Sequence, residues 1–89
     1  MHIELKWDEQ AIEHIARHHV TPEEVQEVTY DSRSLVFGAA QKRYFVYGRT
    51  GSGRYLKVIV ERLRGALFYP VTAYEMDEAD QRRYDRQSR

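Results

Sequence analysis

"KRYFVYGRTGSGRYLKVIVE", residues 42–61, sets two runs of aromatic and β-branched residues on either side of a glycine-bearing loop. Such runs read as antiparallel strands joined through residues 50–53. With Arg49 placed opposite Arg54, alternation puts Phe45 and Tyr47 on the same face as Leu56, Val58 and Val60. That face is apolar enough to pack beneath helices, and Leu67, Tyr69 and Val71 extend it. The opposite face then collects Tyr44, Val46, Tyr55, Lys57, Ile59, Glu61, Phe68 and Thr72, a mixed surface open to solvent.

Working outward, "SLVFG" (34–38) and "ALFYPVTA" (66–73) add flanking strands, and Pro70, with no N–H to donate, demands an edge or a bulge. "HIELKW" (2–7) alternates Ile3, Leu5 and Trp7 against His2, Glu4 and Lys6, the period of a half-buried strand. Asp8 caps a first helix whose stripe is Ala11, Ile12, Ile15 and Ala16. In "TPEE" (21–24), Thr21 as N-cap, Pro22 at the first helical position and Glu24 form a capping box, so a second helix runs to about Tyr30 with Val25 and Val28 facing its core. Asp77 starts a short basic final helix carrying Ala79, Arg83 and Tyr84. The order predicts one α+β domain over residues 1–89: an antiparallel sheet of about four strands, two N-terminal helices packed on one face, and a C-terminal helix.

The 89 residues leave no room for two cores, and the absence of cysteine removes disulfides and thiolate metal sites. With no long apolar run and no signal-like N-terminus, the sequence predicts a soluble cytoplasmic protein with no membrane partner. Fourteen basic residues balance fourteen acidic ones, but the acidic residues dominate the first third and the basic ones the middle.

Two chemistries merit weighing. His14 and His18, four apart on a helix, supply only two metal ligands where a catalytic zinc takes three, and Ile15 stands where the helical zinc signature has glutamate; no metal or other cofactor is expected. A histidine at a helix C-terminus also has a plain structural use, satisfying free carbonyls. The alternative chemistry is metal-independent RNA cleavage through the 2′-hydroxyl, which needs a base, an acid and cations around the phosphate. Arg43, Arg49, Arg54, Lys57 and Arg82 supply cations, while Tyr44, Tyr55 and Phe68 offer faces for unpaired bases. Each of these is also an ordinary surface residue, and Arg49 and Arg54 serve equally well to solubilise a hairpin tip.

Trp7-Asp8, a helix ending "RHHV" (17–20), "TPEEV" (21–25), "KRYFVYGR" (42–49), "RYLKVIV" (54–60) and "PVTA" (70–73) followed by a helix with Tyr84 together resemble the BrnT family of toxins. The resemblance spans nearly the whole chain. It implies a RelE-like fold, RNA as substrate, a cognate antitoxin protein as partner in a type II toxin–antitoxin pair, and a dimer or toxin–antitoxin hetero-oligomer. Carried over by position, the family's Lys-His-Gly-Val falls on Arg17, His18, His19 and Val20; its sheet arginine and glycine fall on Arg43 and Gly48; its Ser-Ala-Arg becomes Thr72, Ala73 and Tyr74; and its Glu-Arg becomes Asp80 and Gln81, with Tyr84 keeping the tyrosine. Two family arginines are thus replaced, by Tyr74 and Gln81, which marks a divergent member. The expected catalytic residues are His18, Arg43, Lys57, Arg82 and Tyr84, and the expected RNA-binding residues are Tyr44, Tyr55, Arg49 and Arg54. The competing expectation is a non-catalytic α+β interaction module of the same fold that binds a partner protein through its open sheet face.

Overall fold

Three side-chain caps start the three helices where the sequence places them. In the computed structural model, which describes residues 3–88, Asp8 Oδ1 accepts the Ala11 N–H at 2.8 Å to open α1 (Glu9–Ala16). Thr21 accepts from the Glu24 N–H at 3.2 Å while Glu24 accepts from the Thr21 N–H at 3.0 Å, the reciprocal box that opens α2 (Pro22–Tyr30). Asp77 Oδ1 accepts the Asp80 N–H at 2.8 Å and opens α3 (Glu78–Gln87).

Helix α1 ends in a tight reversal. Val20 N–H reaches back to Ile15 O at 3.2 Å, His19 N–H to Ala16 O at 3.0 Å, and His19 itself takes a left-handed φ of 59°. This is a Schellman-type stop, and it explains why glycine suits position 19 in the resembling family. A side chain in this conformation costs about 1 kcal/mol. His19→Gly is therefore expected to raise the unfolding free energy by about that amount, read as a melting midpoint several degrees higher; an unchanged or lowered midpoint would show that the turn is unstrained.

The strands are β1 (Glu4–Leu5), β2 (Leu35–Gly38), β3 (Arg43–Arg49), β4 (Tyr55–Arg64) and β5 (Leu67–Glu75), in the sheet order β1-β5-β4-β3-β2. The expected four-stranded antiparallel sheet is thus a five-stranded mixed one. β1 lies parallel to β5, with Glu4 opposite Leu67 and Leu5 opposite Phe68, because the helical half of the chain intervenes between them. Within the segment expected as the first strand, only Glu4–Leu5 pair, and His2 lies outside the described residues.

The central hairpin corrects the expected register. Arg49 pairs with Tyr55, not with Arg54, so Phe45 stands opposite Ile59 and Tyr47 opposite Lys57. Arg54 belongs to the loop: its N–H donates to Thr50 Oγ1 at 3.0 Å, and the Thr50 N–H donates to Arg54 O at 2.9 Å. One added loop residue reverses the face assignment along a whole strand. Tyr44 and Val46 consequently share the helix-covered face with Leu56, Val58 and Val60, while Phe45 and Tyr47 share the other face with Lys57 and Ile59.

A second irregularity acts on β5. Ile59 pairs with Thr72 but Val60 pairs with Pro70, so Val71 is an extra residue, a bulge beside the proline that cannot donate to the ladder. Phe68 and Pro70 face the helices before the bulge and Ala73 does so after it. The core beneath α1 and α2 is Ile15, Val20, Val25, Val28, Val46, Leu56, Val58, Val60, Phe68 and Ala73, with Ile3, Leu5, Trp7 and Tyr44 packed at its border. Of the expected α1 stripe only Ala11 and Ile15 are buried; Ile12 and Ala16 are exposed, since an eight-residue helix crossing the sheet covers it with one narrow face. Gly48 lets α2 approach β3: a side chain there would overlap the Ser34 hydroxyl and touch Val28.

Candidate active site

The face opposite α1 and α2 is not wholly open. Helix α3 crosses one end of it, burying Tyr84 with Tyr47 and Met76 against Leu35, Phe37, Phe45 and Tyr55. Tyr84 and Tyr55 meet edge to face at 6.0 Å, the Tyr55 hydroxyl donates to both carboxylate oxygens of Asp85 at 2.9 and 3.0 Å, and Arg83 lies 4.3 Å over the Phe37 ring. The Asp85 bond, with burial, raises the Tyr55 pKa, so that phenol keeps its proton.

Beyond α3 the rest of the face is centred on half-buried Lys57. Sheet register sets Tyr47 on one side of it and Tyr74 on the other. The Lys57 ammonium lies 4.6 Å from the Phe45 ring centroid, 5.4 Å from Tyr47 and 5.7 Å from Tyr74, an arrangement in which three π faces stabilise the cation. Burial works against its charge, but the Tyr47 and Tyr74 hydroxyls favour it more strongly, and the lysine pKa stands above its ordinary value. Among the described residues no carboxylate forms an ion pair with Lys57.

His18 joins this group from outside the sheet. It follows the last turn of α1, and its ring lies 5.7 Å from that of Tyr74, beyond which Lys57 begins. His14 is 6.2 Å away on the other side, and no group of three or more His, Cys, Asp or Glu side chains able to hold a metal occurs among the described residues.

The other expected residues scatter. Arg43 shares the Lys57 face but sits at its far end, where its Nε donates to Glu61 at 3.2 Å. Arg82 is exposed on α3, 3.8 Å from Glu78. Tyr84 is buried, where it holds α3 to the sheet. Tyr44 is on the helix-covered face against Phe68, at 5.7 Å, and so is separated from Tyr55 by the sheet itself. Arg49 stacks 4.5 Å over Tyr55 and donates to Gly53 O, which places it at the hairpin tip.

Arg54 is engaged on all sides. Its guanidinium donates to His19 O at 2.6 Å, to the Glu24 carboxylate at 3.0 and 3.1 Å, to Glu75 at 3.0 and 3.1 Å and to His18 O at 3.4 Å. Burial opposes the charge and the two carboxylates more than restore it, so its pKa is raised. A hollow at the hairpin tip lined by Arg33, Arg49, Tyr84 and Asp85 also carries two arginines, but Asp31 takes up Arg33 at 3.1 Å and Asp85 adds negative charge. The Lys57 face is the better place for an anionic ligand.

The residues that sequence reasoning missed at this centre are Tyr74, Tyr47 and Phe45. The signal that could have found Phe45 and Tyr47 was Thr50, whose hydroxyl can close a five-residue loop and so set the β3–β4 register, whereas Tyr74 is placed by the β4–β5 register.

No protein-family model matches the sequence, and no curated protein matches it. Among solved structures, the crystal structure of the Brucella abortus ribonuclease toxin BrnT superposes with a TM-score of 0.68 over 86% of this chain and 100% of that one, at 15% sequence identity. Identity so low speaks for the fold alone, and at that level the BrnT-like α+β architecture expected from the sequence is borne out.

Proposed function

We propose that this chain is a metal-independent endoribonuclease of the BrnT type, acting on RNA in the cytoplasm and held in check by a partner antitoxin. Its fold likeness to a ribonuclease toxin supports the class. The observation that carries the reading is Lys57: a half-buried cation with no carboxylate partner among the described residues, ringed by Phe45, Tyr47 and Tyr74 on the sheet face opposite α1 and α2, with the His18 imidazole on the far side of Tyr74. Aromatic rings around a cation suit a strand of unpaired bases whose phosphate lies at the centre.

In this reading the Lys57 ammonium stabilises the charge that builds on the phosphate as the 2′-oxygen attacks, and His18 takes the 2′-hydroxyl proton, the task for which imidazole is suited near neutral pH. Arg43, at the rim and shared with Glu61, and Arg83, beside Tyr47, would guide the flanking phosphates. Purified protein incubated with single-stranded RNA in excess EDTA is expected to yield fragments ending in 2′,3′-cyclic phosphate, and expression without the neighbouring reading frame is expected to arrest growth. Intact RNA at high protein concentration together with normal growth would rule the nuclease out.

One observation favours the second reading, a non-catalytic module of this fold that binds a protein. Arg43, Arg54 and Arg82 are each already opposed by glutamate, which leaves fewer of the expected cations for phosphate. The same assay separates the two.

A further inference from the structure

Tyr74 has a position that the resemblance does not explain, because the family pattern has arginine there. Its ring is the bridge between two groups of different chemistry: the His18 imidazole on one side, at 5.7 Å and an interplanar angle of 49°, and the Lys57 ammonium on the other, at 5.7 Å from the ring centroid. An arginine at this point would place a second cation beside Lys57. A tyrosine places a phenol there, a group with a proton to donate.

Both of its neighbours are held. Lys57 projects from the middle strand of the sheet, paired in register with Tyr74 itself. His18 is on a turn, but the Arg54 guanidinium grips its carbonyl, the His19 carbonyl and the carboxylate of Glu75, the residue that follows Tyr74. One cation therefore ties the histidine turn to the strand that carries the tyrosine. Such fixing of the reacting groups before substrate arrives is what acid–base catalysis requires.

We propose that Tyr74 is a catalytic residue of the RNA cleavage, the acid that protonates the departing 5′-oxygen; this rests on the nuclease reading above. The 2′-oxygen loses its proton to the His18 imidazole and forms a bond to phosphorus. The bond from phosphorus to the 5′-oxygen breaks, and that oxygen takes the phenolic proton of Tyr74. The products are a 2′,3′-cyclic phosphate end and a 5′-hydroxyl end. The imidazolium of His18 then returns a proton to the Tyr74 phenolate through solvent, which restores both groups. Lys57 is the less suitable acid, because its two tyrosine hydroxyls make it hold its proton more tightly than an ordinary lysine does.

The test uses Tyr74→Phe, which keeps the ring against His18 and Lys57 and removes only the hydroxyl. Two substrates are compared: an RNA dinucleotide, and the same dinucleotide with sulfur in place of the scissile 5′-oxygen, whose thiolate departs without needing a proton. On the oxygen substrate the variant is expected to lose about 10²-fold or more in kcat with KM little changed. On the sulfur substrate it is expected to match the unmodified protein. Equal slowing on both substrates would show a structural role and overturn the assignment, as would an unslowed Tyr74→Phe on the oxygen substrate; either result leaves the nuclease reading standing. Failure of the unmodified protein to cut either substrate would remove the nuclease reading, and this assignment with it.

Discussion

If the chain cleaves RNA as proposed, Lys57→Met is expected to lower that cleavage by about 10²- to 10³-fold, the loss that follows when one preorganised charge is removed from a developing phosphate anion. Methionine keeps the unbranched stem that passes between Tyr47 and Tyr74, so packing of the sheet face is retained and the melting midpoint moves little. The effect falls mainly on kcat, because the ammonium matters most where negative charge accumulates. Lys57→Arg restores only part of the rate: it keeps the charge, but a planar guanidinium does not occupy the place of a compact ammonium 4.6 Å from Phe45 and 5.4 Å from Tyr47. The pH dependence has a definite sign. A lysine whose pKa is raised from 10.5 stays charged throughout neutral and mildly alkaline pH, so its contribution is present there and is lost only as pH rises through the raised value. Cleavage by Lys57→Met at the unmodified rate would place the phosphate elsewhere.

Arg54→Ala destabilises the fold by about 3 kcal/mol, the scale of removing one partner from a charge network with several bonds. Two carboxylates, Glu24 and Glu75, and two carbonyls, His18 and His19, lose a shared donor at once. Glu24 keeps its cap bond to the Thr21 N–H, so α2 still starts where it does, and the damage centres on the α1–α2 turn and its link to β4 and β5. For a chain of this length the change corresponds to a fall in melting midpoint of about 10–25 °C. Arg54→Lys recovers little, since a single ammonium cannot meet acceptors spread over four residues. A midpoint within a degree or two of the unmodified protein would mean that these bonds are replaced by water without cost.

The parts of the fold that the sequence disclosed are those decided within a few residues. Asp8, Thr21 with Glu24, and Asp77 announce the helix starts because a cap is a bond across three positions. The β3–β4 pairing was legible as a hairpin but not in register, since whether the loop has four residues or five depended on one threonine hydroxyl. The alternation of "HIELKW" announced β1 as a strand, but its parallel partner β5 lies far along the chain and is met by only two residues, Glu4 and Leu5. Helix α3 is so polar that its docking depends on Tyr84 and on arginine and aspartate contacts, which no hydrophobic stripe reveals.

The site divides in the same way. Lys57 and His18 could be named from residue type and resemblance, but Tyr74 between them could not, because residues that meet across strands are fixed by register. Arg54 reads in the sequence as a strand-end cation opposite Arg49, available to RNA or to solvent. Its four acceptors lie between 21 and 36 positions away in the chain, beyond any local pattern.

The extra residue at Val71 has a consequence in parity. Along β5, Phe68 and Pro70 point to the helices, and an unbroken alternation would carry Thr72 and Tyr74 to that same buried side. The insertion advances the count by one, so that Ala73, small enough for the core, turns inward and Tyr74 turns out to meet Lys57. The make-up of this surface is thus written in chain length as well as in side chains: the number of residues between Pro70 and Tyr74 must stay odd, and a bulge decides which side chains of the strand stand beside Lys57.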